Sequence, residues 1–197
     1  MLRQIYTFWE EKIENLLFSV DEDANIYYDD EENLENAKRV LSNVYTTLPN
    51  HIVKIIKSKW TVVVSDSKPF ESTNMLVAAG ITYSSKGVVW VVSDFDEDVF
   101  VHEAGHILDT YLGYPSSKNE FTDIYNKHWE TYREFDKDKI NKHSVSSNSE
   151  FFAMLFSEFI LHSASLKEQA PDAYAFFERL TVNDWRFSDL GHFVSVW

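Results

Sequence analysis

The chain reads as an α+β domain: a small mixed β-sheet with helices before it and a helical second half. Three observations carry that expectation. Apolar residues recur at helical spacing near the start and through most of the second half. A block between residues 60 and 92 carries strand and hairpin signals instead. The length, 197 residues, is that of one compact domain, expected to form an N-terminal lobe over residues 1–112 and a helical lobe over 113–197. With 44% hydrophobic residues, only five Gly and four Pro, the chain has the material for a core and excludes collagen-like and low-complexity classes. It needs no disulfide or metal merely to fold, since a chain this long buries about 70% of its unfolded surface.

The elements follow in order. Leu2, Ile5, Trp9, Ile13, Leu16, Leu17 and Val20 predict an opening amphipathic helix. The carboxylate-dense stretch Asp21 to Glu35 predicts a solvated loop and the first turn of the next helix, where the macrodipole favours anions. A calcium loop is not expected there, because the D-x-D-x-D-G pattern is missing. Leu34, Ala37, Leu41, Val44, Tyr45 and Leu48 predict a second helix ending near Pro49. Trp60 to Val64 is a buried-strand run, and Leu76–Tyr83 and Val88–Val92 flank Ser84-Ser85-Lys86-Gly87 as a hairpin with Gly87 at positive φ. Ser93-Asp94-Phe95-Asp96 then starts a helix to about Leu112, stopped by Gly113 and Pro115. Further helices are expected over 120–136, 149–162 and from Pro171 onward, with the segment from Thr181 to Trp197 unassigned.

Charge narrows the function. With 18 basic against 32 acidic residues, a net of -14, the chain repels phosphate backbones, so nucleic-acid binding is not expected and cationic peptides or metal ions are the favoured partners. Cysteine is absent, which removes disulfides, thiolate metal sites and a Cys nucleophile, and fits a secreted bacterial protein or a chain that unfolds in transit. No apolar run is long enough to span a bilayer, and Glu10, Glu11 and Glu14 interrupt the N-terminal pattern where a signal peptide would be apolar.

The chemistry concentrates in Val-His-Glu-Ala-Gly-His-Ile-Leu-Asp, residues 101–109. His102 and His106, four apart on one helical face, reach a common ion, and Glu103 beside them is placed to deprotonate a water on it. A zinc site of this kind needs one more protein ligand. It does not lie six residues beyond His106, because Asp109 and Leu112 stand where another motif would have Gly and His. Asp109 reads as an outer partner or as part of a helix-end hydrogen-bond cluster. Glu150, opening a strongly apolar helix, is the candidate ligand, yet Ser147-x-x-Glu150 is equally a capping box. Glu120, Asp123 and His128 are the other donors to hand.

His-Glu-x-Gly-His-x-x-Asp-x-Tyr-x-Gly-Tyr at 102–114, followed by Ser-Glu-Phe-Phe-Ala at 149–153 and Phe156, resembles the catalytic domain of anthrax toxin lethal factor and the related bacterial Pro-Pro endopeptidases. The likeness runs from about Leu76 to Leu180 and takes in Leu166-Lys-x-Gln169 and Pro171. It implies a zincin-like metallopeptidase fold of the gluzincin type, one zinc per chain held by His102, His106 and Glu150, and Glu103 as general base. Two positions depart from the family pattern. His143 stands seven residues before Glu150, where the family has an oxyanion-holding Tyr, and is expected to substitute as donor; Met154 stands where a second Glu is common.

The expected function is therefore a zinc endopeptidase, secreted or delivered to a target cell, monomeric, with an extended peptide or protein substrate paired to a sheet edge at Gly80–Tyr83 or Val88–Val92. Two rival readings stand beside it: a zinc-bearing pseudo-peptidase acting as an adaptor, and an intracellular peptidase cutting one repressor.

Overall fold

The computed structural model describes residues 19–21, 26–28, 30–66, 79–135 and 147–182. Five strands form one sheet: β1 (Ser19–Asp21), β2 (Ile26–Tyr28), β3 (Thr61–Val64), β4 (Gly80–Tyr83) and β5 (Val88–Val91). The helices are α1 (Glu31–Thr47), α2 (Asn50–Lys59), α3 (Glu97–Tyr111), α4 (Asn119–Phe135), α5 (Asn148–Leu161), α6 (Ser163–Gln169) and α7 (Pro171–Val182). The spatial strand order is β1-β2-β3-β5-β4. β2, β3 and β5 run parallel, while β1 and β4 pair antiparallel at the two edges. The sheet is mixed, as expected, because α1 and α2 cross from β2 to β3 whereas β4 and β5 are joined by a short hairpin.

Several expectations need correction. Val20 lies in β1, and Ile26–Tyr28 form a strand inside the stretch read as solvated loop. The rest of the expected opening helix lies outside the described residues. Asn50–Lys59 form a helix that the sequence reading passed over, and Ser163–Gln169 form a separate short helix ahead of Pro171. The interior position of β5 between β3 and β4 means that Val88–Val91 offer no edge; Gly80–Tyr83 do.

Local signals behave as the chemistry dictates. The side chain of Asp30 accepts from the Glu32 amide at 2.8 Å and caps α1, with Glu31 and Glu32 in its first turn. Asp96 caps α3 by accepting from Val99 N at 3.0 Å. Gly87 takes φ 62° at the hairpin, and α3 ends in two left-handed residues, Gly113 and Tyr114.

The sheet buries Val62, Val64, Val89 and Val91 on one face, against α1 (Leu34, Ala37, Leu41, Val44) and α3 (Phe100, Val101, Ala104, Ile107, Leu108). Val63 and Trp90 point to the opposite face, in a smaller cluster with Tyr27, Tyr83 and Val88. That division is the two-residue alternation of a strand. Beyond α3 the core continues as an aromatic cluster in which Phe121, Phe151, Phe152, Phe156, Phe176 and Phe177 lock α4, α5 and α7 together with ring centroids 5.0–6.4 Å apart. No described helix is long and apolar enough to cross a membrane.

Candidate active site

The site is built where α3 crosses α5. A Cβ added to Gly105 would lie 2.7 Å from Ala153 Cα and 3.2 Å from both its Cβ and its carbonyl oxygen. Only glycine lets the helices approach this closely, and the approach brings the first turn of α5 under the histidine face of α3. Glu150 Oε2 then lies 3.4 Å from His102 Nε2 and 3.5 Å from His106 Nε2. The two imidazoles stand edge to face, with centroids 5.0 Å apart and planes at 78°.

These three side chains form the group of metal-ligand donors found among the described residues, each offering one ligand atom within 4.8 Å of the other two. Ligand atoms about 2.0–2.2 Å from a tetrahedral ion stand roughly 3.3–3.5 Å apart, so the two His–Glu separations are those that a zinc ion requires. Two imidazoles and one carboxylate, all partly buried, are also the donor types that suit it. Burial opposes charge on Glu150, but hydrogen bonds to both histidines outweigh it and hold its carboxyl well below the usual range. Burial likewise lowers His106, and Glu150, Glu103 and Asp109 more than reverse that, leaving it raised.

Ser147 Oγ accepts from Glu150 N at 3.2 Å, so the capping half of the Ser147-x-x-Glu150 pattern is real. The Glu150 carboxylate meanwhile sits between the imidazoles. One residue thus serves both readings that its sequence position left open. Glu120 and His128 are engaged elsewhere, by Arg179 and Asp172 respectively, and Asp123 is exposed on α4.

Asp109 is buried at the end of α3 and accepts from Ser116 N at 2.9 Å and Ser116 Oγ at 2.7 Å. Burial raises its pKa, and the Ser116 bonds offset part of the rise. Ser149 Oγ lies 3.5 Å from Asp109 Oδ2 and 3.3 Å from His106 Nδ1, standing between that carboxylate and the rear nitrogen of the histidine. Asn148 completes the junction, donating to Ser116 O and Thr122 Oγ1. The carboxylate–histidine arrangement common behind metal ligands is therefore assembled here through a serine.

Glu103 is nearly fully buried, at 4% exposure, on the side of α3 that faces the sheet edge. Thr82 Oγ1 donates to its Oε2 at 2.5 Å and lies 3.3 Å from its backbone oxygen. Gly80, two residues away on the same face of β4, leaves room for the carboxylate: an added Cβ would lie 2.9 Å from Glu103 Cγ and Oε1. Thr82, Gly80, Ser149 and the Gly105–Ala153 contact were not singled out from sequence as parts of the site. A signal existed in Gly80-x-Thr82, small and hydroxylated on one strand face, with a strand glycine marking close approach.

His143 lies outside the described residues. Met154 packs half-buried against the core, so the position where a second Glu is common belongs here to apolar packing. Burial and the charge of Glu103 raise the Tyr83 hydroxyl, and burial with Glu158 pushes Tyr132 up to about 12; both are neutral donors at ordinary pH.

Residues 47–180, more than half of the chain, match the family described as anthrax toxin lethal factor, N- and C-terminal domain. Among solved structures the chain is similar to the Pro-Pro endopeptidase from Paenibacillus alvei, with a TM-score of 0.60 and 20% sequence identity over 80% of this chain and 97% of that one. No curated protein matches the sequence.

Proposed function

The chain belongs to the anthrax toxin lethal factor family, a family of peptidases, and from that premise we propose that it is a zinc-dependent endopeptidase. The observation that supports this most is the convergence of His102, His106 and Glu150, with Glu150 Oε2 3.4 and 3.5 Å from the two Nε2 atoms, on the helix that also carries the buried carboxylate of Glu103. His102 and His106 through Nε2, with Glu150 through Oε2, would hold the ion. Zinc in such a site supplies Lewis acidity, lowering the pKa of water and polarising a carbonyl. Glu103 takes the proton of the attacking water and returns it to the nitrogen of the leaving amine. Ser149 and Asp109 steady the His106 ring from behind. The antiparallel edge strand β4, which passes directly over Glu103, is where an extended substrate would add as a further strand, its carbonyls and amides pairing with Gly80–Tyr83.

The test is cleavage of a quenched-fluorescent peptide library, Pro-Pro sequences included, by the zinc-loaded protein. Glu103→Gln should keep the fold and one zinc per chain and lose turnover by about 10³-fold or more. Glu150→Ala, His102→Ala and His106→Ala should each lose zinc. Full zinc occupancy with no cleavage of any library member would instead indicate a metal-bearing adaptor.

A further inference from the structure

β4 does more than present an edge. Its inward face carries Gly80 and Thr82, Ser84 follows in the turn beyond its end, and each meets α3: Gly80 against the Glu103 side chain, Thr82 on its carboxylate, and Ser84 Oγ 2.7 Å from Thr110 Oγ1. The opposite face, including Tyr83, belongs to the Val63–Trp90 cluster. The strand is thereby held in depth from both sides, and so is whatever it grips.

We infer that Thr82 is the positioning residue of the catalytic base: its hydroxyl fixes Oε2 of Glu103 while the bare Cα of Gly80 accommodates the rest of the carboxylate, leaving Oε1 as the oxygen that receives the water's proton. The inference rests on the reading of Glu103 as base. A Thr hydroxyl has one proton to donate; at 2.5 Å the carboxylate oxygen takes it in preference to the backbone oxygen at 3.3 Å, as expected for a charge-assisted bond. A glutamate has several side-chain torsions, and a base must lie within hydrogen-bond reach of the proton it removes. Fixing one oxygen, with room left for the other over Gly80, favours one rotamer without consuming the second oxygen.

Thr82→Val keeps shape and strand propensity and removes only the donor; Thr82→Ser restores it. Three measurements separate the roles: zinc stoichiometry and affinity by chelator competition, kcat and KM on the library peptide that the parent cleaves fastest, and crystal structures of the metal-free parent, Thr82→Val and Thr82→Ser proteins. We expect unchanged zinc affinity in both variants. Thr82→Val should lower kcat about 10- to 100-fold with KM within twofold, the scale of a misplacement near 1 Å, and Thr82→Ser should recover most of it. In the crystal, Glu103 should leave its place over Gly80 in Thr82→Val and keep it in Thr82→Ser. Parental kcat in Thr82→Val, or a Glu103 carboxylate unmoved in that variant, overturns the inference. If the parent cleaves no peptide, the peptidase reading fails while the crystallographic comparison still decides whether Thr82 places Glu103. Should Thr82→Val fold poorly, Thr82→Ala gives the same contrast.

Discussion

The α3–α5 crossing and the seam between β4 and α3 hold two neighbouring carboxylates by different physical means. At the crossing, Gly105 lies on the backbone of Ala153 and phenylalanines close the core behind it, so Glu150 is delivered to the histidines by steric fit between two helices. At the seam, contact is made by hydroxyls, Thr82 on Glu103 from a half-buried edge strand and Ser84 on Thr110 from the turn that follows it. Close-packed backbone tolerates no change of a methyl group, whereas a single hydrogen bond is worth about 1 kcal/mol. The His102–His106–Glu150 group, where we propose the metal sits, therefore depends on the part of the molecule that resists deformation. Placement of Glu103, the proposed base, depends on the part that yields, and that part is also the edge where we propose a substrate strand pairs.

The sharpest way to break this contrast is at Gly105. Gly105→Val drives carbons into Ala153 and should cost about 2–3 kcal/mol by overpacking, lowering Tm by roughly 4–12 °C and zinc affinity by more than tenfold as the ligand helices part. Calorimetry and chelator competition check both. Ala153→Gly should not rescue it, because the nearest contact is to the Ala153 backbone rather than its methyl; full rescue would show that the crossing is less rigid than described. A smaller effect is expected at Ser149, which touches the crossing only through its hydroxyl. Ser149→Ala should weaken zinc binding about tenfold, the low end for a group behind a ligand, with Tm nearly unchanged in the metal-free protein. Equal affinity in both proteins would mean that Asp109 acts on His106 through its charge alone. The smallest effect belongs to the seam: Ser84→Ala should lower Tm by roughly 2–4 °C for the loss of about 1 kcal/mol, with zinc affinity unmoved. A loss of zinc in Ser84→Ala would erase the distinction between the two contacts.

What was legible in advance follows the range of the interaction that decides each feature. His102, Glu103 and His106 are fixed by the pitch of one helix, so their common face could be read from spacing. The same holds for the Asp96 cap, the Gly87 turn and the Gly113 stop, each a local matter of backbone conformation. Asn50–Lys59 escaped for a physical reason. Its Ile52, Val53, Ile55 and Ile56 are β-branched, the residues of strands, and packing of Ile52, Ile55 and Ile56 into the core overrides that preference. Ile26–Tyr28 escaped because three residues among carboxylates carry too short a pattern, and only pairing with Val62–Val64 makes them a strand.

The sequence alone determined that this chain is an α+β domain carrying two histidines and a glutamate on one helix, a capped apolar helix opening with Glu150, and no cysteine chemistry. Tertiary structure decided what the Glu150 carboxylate faces, since a capping position and a position beside two histidines are identical in sequence and differ only in what stands 3.4 Å from the carboxylate. It also decided which strand is the edge and which hydroxyl meets the base. Those are contacts between residues more than twenty positions apart, whose pairing depends on how sheet and helices stack, and no spacing along one element records that.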